Sequence, residues 1–508
     1  MMSEHMPRYP EPFWRKESET TEYPALTDNT DCDVAVVGGG IAGITTAYLL
    51  QKEGKNVVLI DAGKLINGTT GHTTAKITSQ HGLFYDELIN HFGKEKARHY
   101  YDANQEGLEF IEELVNELSI DCDFSHEDAF VFTQDPDEIF KIKKEDEAYQ
   151  QLDINGGLID EKTLPFYTRA AIVMRDQAQF HPVKYLNALT DAFIKAGGTV
   201  YENTTASDVK TGDRPAVITR EGHEITCDHV VAASHFPFYD GMGFYFARMH
   251  AERSYSLAVK TSKPITSGMY INAEDPKRSI RCTPAEDGYL MIIGGEKHKT
   301  GQGIDTSKHY DALAAYSREM FPDAEILYRW ATHDLITMDK LPYIGHITER
   351  HKNIFVATGF HKWGMTNGTI AAKIIRDGIL EKENTYRELF TPHRMKADPG
   401  IKEFVKENAN VAKYFVKGKA EMVRRKPEDL ASDEGGVVTV KGKRAGAYKD
   451  PDGLLHAVDT TCTHMGCECE WNDGDRTWDC PCHGSRFNVQ GEVIEGPADK
   501  PLRKLDLE

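Results

Sequence analysis

A glycine-rich turn near the N-terminus places the strongest constraint on how this chain can fold. Gly38, Gly40 and Gly43 form the pattern G-x-G-x-x-G between a short apolar run and a longer apolar helical pattern. Glycines at these positions allow a tight turn and let the backbone approach a pyrophosphate at the helix N-terminus. Asp61 ends the next apolar run, where a carboxylate can accept hydrogen bonds from an adenosine ribose. The pattern predicts a Rossmann-like dinucleotide-binding domain, but it does not choose between FAD and NAD.

A segment rich in cysteine and histidine near the C-terminus predicts a metal centre. Five of the nine cysteines lie within residues 462–482. Cys462 and His464 form a C-x-H pair, and Cys480 and His483 form a C-x-x-H pair. Two thiolates on one iron and two imidazoles on the other are the ligands of a Rieske [2Fe–2S] centre. Zinc could use the same four side chains, but zinc sites usually group cysteine with cysteine and histidine with histidine, so the spacing favours the cluster.

Composition and charge narrow the class of protein. A length of 508 residues corresponds to about three domains at roughly 150 residues each. The net charge of −20 argues against a nucleic-acid partner, because binding phosphates needs clustered positive charge. No apolar run approaches the roughly 18 residues of a membrane span, and the N-terminus lacks the apolar core of a signal peptide. We therefore expect a cytoplasmic globular protein without a transmembrane segment.

Residues 1–395 resemble the FAD-dependent D-amino-acid-oxidase-like family, which includes glycine and sarcosine oxidases. Four segments carry the resemblance beyond the glycine turn: GTTGHTTAK (68–76), AQFHPVKYLNAL (178–189), ITMDKLPYIGHI (336–347) and ATGFHKWGMTNG (357–368). The resemblance implies FAD as the cofactor and hydride transfer from a C–H bond beside an amine. The implied substrate is a small amine or amino acid, and its identity stays open.

The same resemblance implies roles for individual residues. The first segment resembles a loop beside the flavin ring and the last resembles the C-terminal flavin loop, which makes His72, Lys76, His361 and Lys362 candidate catalytic contacts. Taken singly, each could instead be an ordinary hydrogen-bonded or surface residue. The residues expected to bind the dinucleotide are Gly38, Gly40, Ile41, Ala42, Gly43, Asp61, Ala62, Thr73, Thr74, Gly359, Trp363, Gly364, Met365 and Thr366.

Residues 429–508 resemble a Rieske domain of the type found in respiratory and photosynthetic cytochrome complexes. The resemblance implies that Cys467 and Cys482 form a disulfide between the two cluster loops. It also implies that Ser485 hydrogen-bonds a cluster sulfur, and that residues 496–502 form the proline loop that covers the cluster.

Two positions stand apart from that family pattern. Phe487 occupies a place where a tyrosine is common, which predicts one hydrogen bond fewer to the sulfurs and a lower reduction potential. Cys469 has no role in the pattern, and we interpret it as structural.

Between the two parts, the sequence predicts an amphipathic linker helix. Nine lysines and arginines lie between residues 396 and 426, and Pro399 with Gly400 marks a break before the helix. Packing of this helix on the larger domain is the favoured interpretation, and contact with an anionic membrane surface is the alternative. The apolar positions on its stripe are Ile401, Phe404, Val405, Ala412, Phe415 and Met422.

The predicted fold class is an α/β FAD-binding domain with an interleaved antiparallel β substrate domain, followed by a small all-β Rieske domain. The predicted boundaries are 1–395 for the oxidoreductase part, with the antiparallel sheet at roughly 250–330, then 396–428 for the linker and 429–508 for the Rieske domain.

The favoured function is a dehydrogenase that oxidises an amine or amino acid and passes electrons singly through the Rieske centre to an external acceptor. One alternative is a flavin oxidase whose Rieske module is a redox sensor or docking element. Another is inward electron flow, from a carrier through the cluster to the flavin. The sequence leaves the acceptor and the oligomeric state open. Arg253, Tyr255 and Glu296 could face the substrate, although a packing role is favoured for each.

Overall fold

The computed structural model describes residues 6–18, 21–303, 305–394, 400–421 and 423–506. The predicted break at Pro399 and the last position of the predicted apolar stripe, Met422, lie outside these residues.

A six-stranded sheet forms the centre of the nucleotide-binding part. Its two strands around the glycine turn, Val34–Val37 and Val57–Ile60, are buried along their whole length, as expected for parallel strands covered on both faces. Tyr343–Thr348 and His351–Thr358 pair antiparallel, and every other pair of neighbouring strands in this sheet is parallel. In spatial order the strands are Tyr343–Thr348 (β18), His351–Thr358 (β19), His229–Ala232 (β12), Val34–Val37 (β2), Val57–Ile60 (β3) and Thr199–Tyr201 (β8).

A nine-stranded mixed sheet forms the second layer, and it is larger than the antiparallel sheet predicted for roughly 250–330. The parallel pairing of Met269–Asn272 with Ser125–Thr133 joins strands from the first third of the chain to this sheet. In spatial order the strands are Glu325–Thr337 (β17), Met249–Lys260 (β13), Gly288–Lys299 (β16), Arg278–Ala285 (β15), Met269–Asn272 (β14), Ser125–Thr133 (β5), Ala170–Gln179 (β7) and Lys76–Ile77 (β4), with Gly156–Ile159 (β6) paired to β7.

A small four-stranded sheet and the helices complete this part. The sheet consists of Thr30–Asp31 (β1), Glu224–Thr226 (β11), Ala216–Thr219 (β10) and Ala206–Lys210 (β9). The helix after the glycine turn packs on both Pro182–Lys195 and Gly364–Ile379, which extends the core on that face. The helices are Phe13–Lys16 (α1), Ile41–Lys52 (α2), Tyr85–Phe92 (α3), Lys94–Glu117 (α4), Ile139–Leu152 (α5), Pro182–Lys195 (α6), Tyr245–Arg248 (α7), Ser307–Met320 (α8), Gly364–Ile379 (α9), Arg387–Phe390 (α10) and Lys402–Ala420 (α11).

The C-terminal part contains two small antiparallel sheets around a core of its own. Trp478 and Phe487 are fully buried there, beside the cysteines of the predicted cluster site. The first sheet consists of Glu434–Val440 (β20), Lys443–Lys449 (β21) and Leu455–Val458 (β22), and the second of Glu470–Asn472 (β23), Thr477–Asp479 (β24), Arg486–Phe487 (β25) and Val493–Glu495 (β26).

A buried network of charged side chains joins the two parts of the molecule. Asp475 forms ion pairs with Arg253 of β13 and, at 3.2 Å, with Arg486. The Tyr310 hydroxyl donates a hydrogen bond of 3.0 Å to the same carboxylate, and Arg486 pairs with Glu495 at 3.0 Å. Burial raises the pKa of the Asp475 carboxyl, but Arg253 and Arg486 more than offset that effect and hold the pKa below its usual range. The network is therefore charged at neutral pH, and Arg253 packs between the two parts.

Helix α11 lies along both parts, but not through the stripe that the sequence predicts. Of the predicted positions, Ile401 and Val405 are more than half exposed, and Phe404 and Phe415 are 41% and 40% exposed. The helix instead contacts the protein through polar and small residues, among which Glu407 and Gly418 are buried. The helix does pack on the larger part, as the favoured interpretation expects, but it does so through polar contacts such as that of Glu407 with Lys299 and not through the predicted apolar positions.

The network around Asp475 predicts a large effect for a nearly isosteric change. We expect Asp475→Asn to lower the free energy of unfolding by about 3 kcal/mol, because removing one partner leaves buried charge uncompensated. The measurement is the urea midpoint for loss of the visible circular dichroism of the cluster.

The control is Glu117→Gln, since Glu117 pairs with Lys52 at 2.6 Å on the surface, with about half of each side chain exposed. We expect a loss below about 1 kcal/mol for this exposed pair. Equal shifts of the urea midpoint in the two variants would contradict the role given to Asp475.

Candidate functional site

One cavity of about 1360 Å³ connects the nucleotide-binding part to the C-terminal part. At one end it is lined by residues 38–42 of the glycine turn, and in the middle by β13, β16 and β17 of the large sheet. At the other end it is lined by His464 and by residues 493–499. The predicted dinucleotide site and a predicted cluster ligand therefore share one space.

At two glycines of the turn, the backbone packs so closely that a side chain would collide with it. Gly38 has a φ of +113°, and a Cβ at this position would lie 2.4 Å from the carbonyl oxygen of Ala233. A Cβ on Gly43 would lie 1.8 Å from the carbonyl oxygen of Gly38. Gly40 directly precedes α2, so the first helical turn, whose N–H groups have no partner within the helix, lies at the cavity, and the Ile41 N–H donates to the Thr70 hydroxyl at 3.2 Å. Close backbone approach beside a helix N-terminus fits the pyrophosphate of a dinucleotide.

Asp61 is fixed beside this turn, at the carboxyl end of β3. Its carboxylate accepts hydrogen bonds from the N–H groups of Gly39 at 2.7 Å and of Gly63 at 2.8 Å. Burial raises the pKa of Asp61, although the two bonds from N–H groups act in the opposite direction. Asp61 and Ala62 line the cavity, a position compatible with the predicted ribose contact.

The loop of residues 68–76 is clamped against the large sheet by buried tryptophans. Trp330 of β17 donates its indole N–H to the carbonyl oxygen of His72, and Trp14 donates to that of Thr73, each at 2.8 Å. Trp14 is fully buried, although no motif assigns a role to the N-terminal segment; the adjacent aromatic residues Phe13 and Trp14 are its one sequence signal. The predicted residues of this loop that line the cavity are His72, Thr73, Thr74 and Lys76.

Two candidate side chains in this loop differ in their surroundings: His72 is half-buried and Lys76 is buried. Burial lowers the pKa of His72 to about 4, and its Nδ1 lies 2.9 Å from the carbonyl oxygen of Gly68. Lys76 is 9% exposed, and among the described residues no carboxylate forms an ion pair with it. Burial, together with the charge of Arg281, lowers the pKa of Lys76 to about 7. Lys76 is therefore a buried amine that can change its charge near neutral pH.

The second predicted loop places His361 among lysines. His361 has a φ of +57°, and its N–H donates to the carbonyl oxygen of Leu335 at 3.0 Å. Burial lowers the pKa of its imidazole well below the usual range, and Lys362, Lys340 and Lys297 lower it further. The imidazole is therefore neutral at physiological pH.

The remaining residues of this loop lead into α9. Trp363 stacks on His81 at a centroid distance of 4.6 Å, which orients the chain just before the helix. The Lys362 ammonium forms an ion pair of 2.5 Å with Asp334 and a hydrogen bond of 3.2 Å with Ser254. The predicted residues that line the cavity here are His361, Lys362, Trp363, Gly364 and Met365, whereas Gly359 and Thr366 lie beside them and do not line it.

The predicted cluster ligands lie in two loops held together by a disulfide between Cys467 and Cys482. The sulfurs of Cys462 and Cys480 lie within 4.8 Å of one another. The sulfur of Cys469, which we interpreted as structural, belongs to the same group, and no spacing rule pointed to it.

The two predicted imidazole ligands form a second pair. The rings of His464 and His483 lie 5.0 Å apart between centroids, at an interplanar angle of 88°. Beside them, the Ser485 hydroxyl accepts a hydrogen bond of 3.0 Å from the Ala498 N–H, which ties the second loop to the proline loop. A pair of thiols and a neighbouring pair of imidazoles fit the two-sulfur, two-nitrogen donor set of a Rieske cluster.

Residues of the larger part that no sequence pattern predicts contact these loops directly. The Phe246 ring lies 6.0 Å from the His464 ring and 5.6 Å from the His483 ring. A Cβ on Gly484 would lie 2.8 Å from Nε2 of His333, so only glycine lets the cluster loop approach this closely. Phe246 and His333 belong to no motif, because contacts between distant segments leave no spacing signal.

Comparison with known proteins finds a family match for each of the two parts. A family model described as FAD dependent oxidoreductase matches residues 33–377, and one described as Rieske [2Fe-2S] domain matches residues 420–506. The Bacillus subtilis (strain 168) protein YhfW, whose name describes it as a Rieske 2Fe-2S iron-sulfur protein, is 48% identical over 499 residues and covers 98% of each chain.

More distant relatives match one part only. Gamma-glutamylputrescine oxidoreductase of Escherichia coli (strain K12) is 23% identical, over 77% of this chain and 93% of its own. The crystal structure of glycine oxidase from Geobacillus kaustophilus superposes with a TM-score of 0.62 at 18% identity, over 72% of this chain and all of that one, which shows a shared fold.

These matches confirm the predicted fold class and both predicted cofactors. The chain belongs to the FAD-dependent oxidoreductase family, carries a C-terminal Rieske domain, and has FAD and a [2Fe–2S] cluster as its cofactors.

Proposed function

We propose that the protein is a dehydrogenase that oxidises a C–N bond of a small amine or amino acid and passes the electrons singly through its Rieske centre to an external acceptor. The observation that carries the proposal is the continuity of one cavity from the glycine turn to His464. An oxidase that gave its electrons directly to oxygen would need no cluster beside its flavin site.

The substrate class is supported by the names of two relatives. One is an oxidoreductase of gamma-glutamylputrescine, an amine, and the other is an oxidase of glycine, an amino acid. Both names describe oxidation of a compound that carries an amino nitrogen. We propose this shared reaction class for the chain, and we do not propose either individual substrate.

The residues already described would hold the two cofactors. When bound, FAD accepts a hydride from carbon and can release single electrons, which a [2Fe–2S] cluster takes one at a time. The cluster ligands would be Cys462, His464, Cys480 and His483. The predicted residues that line the cavity would hold the dinucleotide, and Gly43, Gly359 and Thr366 lie beside them: the lining residues are Gly38, Gly40, Ile41, Ala42, Asp61, Ala62, Thr73, Thr74, Trp363, Gly364 and Met365.

Among the candidate catalytic side chains, Lys76 is best suited to accept a proton from the substrate. An amine can lose a hydride from its neighbouring carbon only when the nitrogen lone pair is free, so an ammonium substrate must first lose a proton. The pKa values of His72 and His361 lie too low for either imidazole to hold that proton near neutral pH. Burial brings the pKa of Lys76 to about 7, where a proton acceptor works best.

The interface between the two parts supports the electron route. The rate of electron transfer falls steeply with distance, so a relay needs a fixed and close arrangement of its two sites. The Asp475 network fixes the orientation of the parts, while Phe246 and His333 contact the cluster loops. Of the four proposed cluster ligands, His464 is the one that lines the shared cavity.

The electron route predicts what anaerobic reduction will show. We expect an effective substrate from a panel of amines and amino acids to bleach the flavin absorbance and to produce the EPR signal of a reduced Rieske centre. In Cys480→Ala, which loses a cluster ligand, the flavin should still bleach, but turnover with a cytochrome as acceptor should fall at least about tenfold.

The control is Cys122→Ala, because Cys122 is another buried cysteine but lies in the larger part of the molecule. Turnover of this variant should match that of the unmodified enzyme. Flavin bleaching beside a cluster that stays oxidised would overturn the relay and favour a sensor or docking role. A cluster reduced only by an external carrier, and never by substrate, would favour inward flow.

The buried position of Lys76 predicts the pH profile of the reaction. Since its pKa is lowered to about 7, Lys76 is mostly protonated below that pH and mostly neutral above it. We therefore expect kcat/KM to rise with pH through about 7 and then to level. In Lys76→Met, the pH-dependent rise should disappear and kcat/KM should fall about a hundredfold, which is the effect expected from the loss of a positioned proton acceptor.

The comparison variant is Lys144→Met, which removes an exposed lysine on α5. It should keep both the rate and the step. If Lys76→Met retained the step near pH 7, another group would be responsible and the role of Lys76 would be rejected.

A further inference from the structure

Helix α11 contacts the protein through its polar side. Glu407 is buried and forms an ion pair of 2.5 Å with Lys299 of β16. One turn along the same side, the Asn410 amide oxygen accepts a hydrogen bond of 2.7 Å from Gln302. This side therefore contacts the larger part through hydrogen-bonded polar groups, where a surface helix usually places its apolar residues, and Val411 packs against the core of the C-terminal part.

The second half of the helix contacts the C-terminal part in the same manner. Gly418 is buried, and a Cβ there would lie 2.8 Å from the Glu468 side chain. Lys419 forms an ion pair with the same glutamate. Glycine thus lets the helix approach Glu468 closely, and an ion pair secures the contact.

The outward side of the helix carries an apolar stripe. Val405 is 62% exposed and Val416 is 65% exposed. At about 100° per residue, positions 405, 409, 412 and 416 lie within a narrow arc of the helix surface, and position 401 lies next to it. In chain order these residues are Ile401, Val405, Ala409, Ala412 and Val416.

A row of lysines runs along one edge of this stripe. Its members are Lys402, Lys406, Lys413 and Lys417. Both carboxylates of α11 are paired: Glu407 with Lys299 of β16, and Glu403 with Lys406 of the row at 2.9 Å, which leaves Lys402, Lys413 and Lys417 as the other cations of the row. The described part of the helix therefore presents apolar and positively charged groups to the outside, in a chain whose net charge is −20.

We infer that α11 is a membrane-surface helix, which lays its outward stripe into the interface of an anionic lipid bilayer while the lysine row contacts lipid phosphates. Apolar residues beside a cationic edge match both the acyl boundary and the negative headgroups of such a surface. A second copy of this chain fits less well, because a stripe on another copy offers no negative charge to the lysine row, and antiparallel packing would bring two such rows together. No helix in the described ranges is long and apolar enough to cross a bilayer, so the contact is confined to the surface.

The inference also places the cluster near the lipid. The Cys482 sulfur lies 3.9 Å from the carbonyl oxygen of Val411, on the inner side of α11. Asn408 donates a hydrogen bond of 3.0 Å to Ala247, which belongs to the same short helix, α7, as Phe246. The cluster loops would therefore lie within about one helix diameter, roughly 10–12 Å, of the bilayer surface.

Flotation of the holoenzyme with vesicles tests this inference. One set of vesicles contains equal parts of phosphatidylglycerol and phosphatidylcholine, and the other contains phosphatidylcholine alone. We expect flotation with the anionic set at about 0.1 M salt and much less at about 1 M, where the Debye length falls from about 10 Å to 3 Å. The neutral set should bind weakly at both salt concentrations.

Variants separate the stripe from the rest of the surface. The double variant Val405→Glu with Val416→Glu should bind the anionic vesicles at least about tenfold more weakly. It removes two apolar side chains that would be buried in the lipid interface, and it adds negative charge. Leu454→Glu is the matched control, since Leu454 is 62% exposed on a turn of the C-terminal part. Flavin absorbance and the Rieske EPR signal verify that each variant is folded.

Several results would overturn the inference. The unmodified enzyme could fail to float with anionic vesicles, or the double variant could float as well as the unmodified enzyme. An oligomer in analytical ultracentrifugation that the double variant dissociates would assign the stripe to a second copy of the chain. An equal loss of flotation in Leu454→Glu would show that general negative charge, and not the stripe, controls binding.

Discussion

The buried carboxylate of Asp475 fixes how the two parts of the molecule meet. Removing charged groups from water costs several kcal/mol each, and only close pairing offsets this cost. Arg253 and Arg486 provide that pairing in one relative orientation of the parts, in which Tyr310 also donates to the carboxylate. An apolar interface of the same size would tolerate sliding, whereas a displaced ion network would leave charges unpaired. The network therefore defines orientation more strictly than apolar burial could.

The shared cavity depends on that fixed orientation. The wall beyond the large sheet consists of residues 493–499 and His464, which belong to the C-terminal part. Gly484, with a φ of +85°, allows the second cluster loop to approach His333 and Ala251, where a Cβ would lie 2.8 Å and 2.4 Å from side-chain atoms. The space between the two cofactor sites is thus a property of both parts together, and neither part alone would enclose it.

The sequence predicted the features that depend on local spacing and missed those that depend on distant contacts. The glycine turn, the acid after β3 and the paired cysteines and histidines follow short patterns, because a pyrophosphate or an iron atom needs its contacts close together. Asp475 and Arg253 lie more than 200 positions apart in the sequence, so no short sequence pattern predicts their ion pair. The contact side of α11 has a related cause: the predicted apolar stripe identified a helix, but contacts with Lys299 and Glu468 determine which side of it faces the protein.

Local solvation distinguishes side chains that looked equivalent in the sequence. Lys76 and Lys362 are both lysines in predicted flavin loops, and both line the cavity. Lys362 forms an ion pair of 2.5 Å with Asp334, whereas among the described residues no carboxylate pairs with Lys76. Lys76 has burial and the charge of Arg281 against its charged form, and its pKa falls to about 7. A motif supplies the type of residue and its place on the chain, whereas burial and neighbouring charges, which come from strands far away in the sequence, determine whether that residue can exchange a proton.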